Sequence, residues 1–170
     1  KIKSKGYGIQ LVGDYWAGPN NLEINLNNST IESDNSALIA GDSATYVTLK
    51  ADGNTIKSNG ETAIHCNERG SYSYGYKCNI TLKNSTVEAR NYVFNGIDRT
   101  SDLAIENVQM KSATEGLRLC NGTVTISGTS RIESAIGIRS ACSNNLTINN
   151  VEILSSDMGI YGYSSSKLQI

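Results

Sequence analysis

Ile80-Thr81-Leu82-Lys83-Asn84-Ser85-Thr86-Val87-Glu88-Ala89-Arg90-Asn91-Tyr92-Val93 reads as short strands joined by corners. Apolar residues fall at every second position in each piece, the period of a strand and not of a helix. The middle piece, Val87-Glu88-Ala89, recurs along the chain as apolar, any residue, small residue. Its counterparts are Ile2-Lys3-Ser4, Ile31-Glu32-Ser33, Ile56-Lys57-Ser58, Met110-Lys111-Ser112, Ile132-Glu133-Ser134 and Ile153-Leu154-Ser155. Read in order, the central residues alternate Lys3, Glu32, Lys57, Glu88, Lys111, Glu133 and close on Leu154. If these segments are parallel strands about 4.8 Å apart, every charge stands beside its opposite.

A first strand precedes each of these. Its copies read Ile24-Asn25-Leu26, Val47-Thr48-Leu49, Ile80-Thr81-Leu82, Leu103-Ala104-Ile105, Val124-Thr125-Ile126, Leu146-Thr147-Ile148 and Leu168-Gln169-Ile170. A third follows the small residue, at Gly8-Ile9, Ala37-Leu38, Ala63-Ile64, Val93-Phe94, Gly116-Leu117, Gly137-Ile138 and Gly159-Ile160. A fixed period in the range of 20 to 50 residues is the mark of a solenoid. The chain therefore reads as all-β: a single-stranded parallel β-helix of about seven coils, each of 21–25 residues, with three strands per coil and an insertion at 66–78. Residues 1–170 form one domain. Asn28, Asn84, Asn107 and Asn150, with Gly128 in the same register, mark the first corner, because Asn and Gly tolerate a left-handed backbone. Both ends fall inside a coil, so the expectation is a solenoid truncated at both ends, with further coils of a longer chain as its neighbours.

The net charge of −1 gives no electrostatic case for nucleic acid or anionic lipid. No apolar run reaches the roughly 20 residues of a membrane-spanning helix. Cys120 and Cys142 are one coil apart, which places them at about the Cα separation of a disulfide. Cys66 and Cys78 bracket the insertion, and a local bridge is expected there too. Zinc is the rival reading for four cysteines, but they include no closely spaced pair, and His65 is the only histidine. Two disulfides would place the chain in an oxidising compartment. No cofactor or metal is expected.

Loops on a rigid scaffold carry function, and two loops after the third strand are aromatic. One holds Tyr15 and Trp16. The other, inside the insertion, holds Arg69, Tyr72, Tyr74 and Tyr76, and Tyr161 lies on the same side. Flat rings with a polar handle suit sugars; the plainer alternative is that they fold back over the apolar edge of the solenoid. The outward positions of the third strand give Gln10, His65, Asn95, Arg118, Arg139 and Tyr161. Arg118 and Arg139 fall on adjacent coils, where an acidic glycan could bridge them; the alternative is a solvated face. Catalysis finds little support. Glycoside hydrolysis needs two positioned carboxylates, yet Glu32, Glu88 and Glu133 each have lysine neighbours, and Asp98 and Asp102 flank a turn with Arg99. No outward stack of acids suggests calcium. A partial row of Thr48, Thr81, Thr125 and Thr147, interrupted at Asn25 and Ala104, is ordinary strand composition.

The unit at Ile80–Val93 and at Leu146–Ile160 resembles the passenger domains of bacterial autotransporters, the pertactin-like right-handed β-helices, over nearly the whole chain. That resemblance implies a right-handed coil, secretion or display on a bacterial cell surface, and a non-enzymatic adhesin that binds a glycan or a host surface receptor. The coil is shared with pectate-lyase-like enzymes and phage tailspikes, so a polysaccharide-degrading or tailspike fragment is the runner-up and a passive stalk the third reading. No functional residue carries over, because the family has no fixed site motif.

Overall fold

A computed structural model describes residues 1–11, 20–40, 45–66, 77–96, 100–163 and 166–170. Among them are nineteen strands and no helix, and every strand pair is parallel. The first strands stack as a seven-stranded sheet from Asn20–Asn27 to Lys167–Gln169. The second and third strands form two further stacks, which merge into one hydrogen-bonded sheet where Arg131–Ser140 and Glu152–Gly162 run through the corner without a break. The arrangement fits a right-handed parallel β-helix of about six turns, since the first coil lacks a first strand and the last coil has only that strand.

The merged strands depart from the three separate strands expected per coil, and chain length accounts for the first of them. From Ile132 to Ile138 the corner is one residue shorter than from Met110 to Leu117. No residue is left to form a separate turn, so Ser134-Ala135-Ile136 stays extended. The next coil regains the residue, and the register shifts between Ser134 and Ile136 as a bulge.

Strand register follows the charge ladder at every rung. Lys3, Glu32, Lys57, Glu88, Lys111, Glu133 and Leu154 are successive Cα partners. The closest ion pairs on it are Lys3–Glu32 at 3.0 Å and Lys111–Glu133 at 2.6 Å. A second set, Glu23–Lys50 and Lys83–Glu106, both at 2.8 Å, lies on the first stack. Hydrogen bonds from Lys50, Lys3 and Lys111 hold the carboxyls of Glu23, Glu32 and Glu133 below the ordinary glutamate value of 4.5. A depressed carboxylate adds stability that is complete above its unfolded value and is lost as pH falls through its folded value. The melting temperature is therefore expected to fall as the pH drops below about 4.5, and the fall should shrink in concentrated salt, which screens exposed pairs. An acid limb insensitive to salt would mean that the ladder contributes nothing measurable.

The corner after the first strand is left-handed throughout. Asn28, Asn84, Asn107 and Asn150 have φ between 46° and 55°, and Gly128 has φ 71°. Gly53, at φ 66°, takes the same place in the third coil. The Asn107 amide donates to Asn84 Oδ1 at 3.2 Å, and the Asn84 amide to Asp52 Oδ1 at 2.8 Å. Gly53 also corrects one strand assignment: the third coil aligns Leu49-Lys50-Ala51, not Val47-Thr48-Leu49, with Ile80-Thr81-Leu82. The small Ala51 takes the core position two residues before the corner. Thr48 consequently stands opposite Asn79, outside the row of Thr81, Thr125 and Thr147.

Inside the coil, Ile31, Ile56, Val87, Phe94, Leu117, Ile126, Ile132 and Ile138 are fully buried. At the small position of the second strand, Ser33, Ser58, Ser112 and Ser134 are buried as well. Their hydroxyls cap the next corner: Ser33 and Ser58 donate to Asn35 O at 2.7 and 2.6 Å, and Ser134 donates to Ile136 O at 2.8 Å. This is the reason for a serine in an apolar interior, because an uncapped buried carbonyl is costly.

Cys120 and Cys142 are joined, with Cα atoms 4.6 Å apart. Cys66 and Cys78 are both buried, and the bridge expected between them is not formed. Cys66 ends a third strand opposite Ala40, and Cys78 lies in a first strand between Val47 and Ser101. No helix among the described residues is long and apolar enough to cross a membrane.

Candidate functional site

The outward row of the third stack is Gln10, Ile39, His65, Asn95, Arg118, Arg139 and Tyr161, each a Cα partner of the next. Strand pairing places Arg118 and Arg139 side by side at one rung, about 4.8 Å. Tyr92 and Glu115 occupy a second row alongside, with Ile136 and Met158 continuing it.

Glu115 is the pivot of this face. Its backbone is set by the corner: its N–H donates to Asn91 O at 2.9 Å, and its carbonyl accepts from the Ser112 hydroxyl at 2.7 Å. Gly116 follows, where a Cβ would meet Gly137 O at 2.5 Å, so the chain passes close to its neighbour and carries Glu115 under the arginines. The residue is only 5% exposed. Glu115 Oε1 lies 2.8 Å from Arg139 Nε, and Oε2 lies 3.8 Å from Arg118 Nε. Both Nε atoms are buried, and neither is aligned for a hydrogen bond. The attraction is therefore ionic and not directional.

Aromatic rings fix what the carboxylate does not. The Arg118 guanidinium sits over Tyr92 at 5.5 Å from the ring centre, and that of Arg139 over Tyr161 at 5.1 Å. Such contacts hold a guanidinium flat and strengthen when partly desolvated. Both arginine side chains are about 30% exposed. Among the described residues the cluster has two positive charges and one negative.

The remaining candidates fall elsewhere. Tyr15, Trp16, Arg69, Tyr72, Tyr74 and Tyr76 lie outside the described residues, as do Asp98 and Arg99. Asp102 forms an ion pair with Lys77 and accepts from the Thr123 N–H at 2.9 Å, a structural use. Among the described residues no three His, Cys, Asp or Glu side chains group to hold a metal ion. Sequence reading placed Arg118, Arg139 and Tyr161 correctly but missed Glu115 and Tyr92. The i to i+3 spacing of Glu115 and Arg118 was the available signal for one of them.

No family model, curated protein or solved structure matches the chain.

Proposed function

We propose that this β-helix is a non-enzymatic, adhesin-like recognition module, secreted or displayed at a cell surface, that binds a glycan or a host receptor. Binding uses the third-strand face and the corner loops that follow it. The observation that carries the reading is the arginine pair: two guanidiniums on adjacent rungs, laid over Tyr92 and Tyr161 and about 30% exposed. A purely structural ion pair needs one arginine for one carboxylate. The Cys120–Cys142 disulfide supports an oxidising compartment.

The test is retention of the purified chain on a broad glycan array, beside two variants. Arg118→Ser/Arg139→Ser removes the face, and Trp16→Ala/Tyr74→Ala/Tyr76→Ala removes the loops. Selective binding that either variant abolishes at an unchanged melting temperature supports recognition. A blank array from folded protein would instead leave a passive stalk, which the charge and asparagine ladders alone could sustain.

A further inference from the structure

We infer that the ligand of the third-strand face is acidic: a glycan bearing carboxylate or sulfate groups, held by Arg118 and Arg139, with Glu115 as their positioning residue. This rests on the recognition reading above. Each guanidinium has three edges or faces to place. One face of each is taken by a tyrosine ring. The Nε edge of each turns inward to the buried Glu115 carboxylate. Among the described residues no hydrogen bond engages the Nη groups, and both side chains are about 30% exposed, so these donors can serve solvent or a ligand. Paired Nη donors in a planar fork match an oxyanion, and Arg provides this where Lys cannot.

Glu115 has a specific task in this arrangement. Two guanidiniums at one rung's separation repel each other. A carboxylate buried beneath both offsets that repulsion from the inner side and keeps the outer edges parallel, with one positive charge in excess. The spacing argues for a glycan over an acidic peptide. In an extended peptide, side chains on one face recur at about 6.6–6.8 Å and adjacent ones at about 3.3 Å. Neither repeat matches adjacent rungs about 4.8 Å apart. Acidic groups on sugar rings are set by ring geometry and are free of that repeat. Tyr161, on the rung beyond Arg139, adds apolar area for a ring face.

The full chain is titrated with a polyuronate oligosaccharide, its carboxyl-reduced counterpart, a sulfated neutral oligosaccharide and a glutamate-rich peptide. The expected result is binding of the polyuronate, the sulfated sugar or both, with the reduced sugar weaker by about tenfold or more. The two acidic arms identify which oxyanion is preferred. Arg118→Gln/Arg139→Gln should lose at least about tenfold in acidic-sugar affinity, and Arg118→Lys/Arg139→Lys should recover only part of it. Glu115→Gln distinguishes positioning from charge. It raises the net charge of the cluster by one, so charge alone predicts tighter binding; positioning predicts binding weaker by severalfold at a matched fold, judged by circular dichroism. Equal binding of acidic and reduced sugars, indifferent to the arginine variants, overturns the inference while leaving recognition standing. Binding of the peptide as tightly as the sugars overturns the glycan assignment. No binding to any of them, with a blank array, ends both readings.

Discussion

Phe94→Ala is expected to cost about 3–5 kcal/mol, the range for emptying a buried phenylalanine site. Phe94 is the only phenylalanine in the chain and is 1% exposed. It stands between Ile64 and Leu117 on the rungs above and below, one residue before Asn95 of the outward row. A solenoid core is thin, and each coil is stabilised mainly by its immediate neighbours. A void at Phe94 therefore weakens the joint that carries coils three to five, with no distant packing to spread the loss. Urea denaturation of the wild type and the variant measures it, and Phe94→Leu should lose well under half as much, because volume is nearly kept. A loss below about 1 kcal/mol would mean that the interior at this rung collapses to fill the space, contrary to the close packing described.

The second large effect is expected from Cys120→Ser/Cys142→Ser. The bond closes a loop of 22 residues, for which chain-entropy reasoning gives about 3 kcal/mol. Its position adds a local consequence. Leu119 and Ser140, just after the two arginines, are register partners, and the disulfide ties the ends of these two strands together. Losing it should lower the melting temperature and also weaken acidic-sugar binding, since the corner beside the arginine pair is then free to fray. Reduction of the wild type with a thiol should reproduce both changes. An unchanged melting temperature on reduction would show that the ladders alone hold these coils.

How far the sequence could be read depended on how many independent patterns marked each position. The second strands were legible to the residue because the alternating charges mark each rung separately, and every expected pairing is present. The left-handed corner was legible at its asparagines. The third coil was misaligned by two residues because Val47-Thr48-Leu49 looks like the other first strands, while Ala51 is a poor hydrophobic signal. Gly53, two residues beyond Ala51, was the better guide, since a left-handed corner is a stricter demand than an apolar one. The first merged strand depended on a single missing residue, which changes geometry without changing the pattern, and the second follows it through a bulge. The Cys66–Cys78 bridge was inferred from bracketing a loop, and bracketing says nothing about which sheet each thiol faces.

The candidate site divides in the same way. Arg118, Arg139 and Tyr161 follow from outward alternation, which the register confirms. Glu115 lies at a corner, where alternation lapses, and its burial beneath two arginines is a tertiary fact. Its pairing turns a solvated face into a preset cluster.

The central claim is that Arg118 and Arg139 act together as the anchor of an acidic ligand. Its most direct test is to follow the arginine Nε–H resonances by NMR while an acidic oligosaccharide is added to the intact chain. The account predicts concerted shifts at Arg118 and Arg139, with Arg90 and Arg131 unmoved. Saturable binding that leaves the Arg118 and Arg139 signals in place would contradict it.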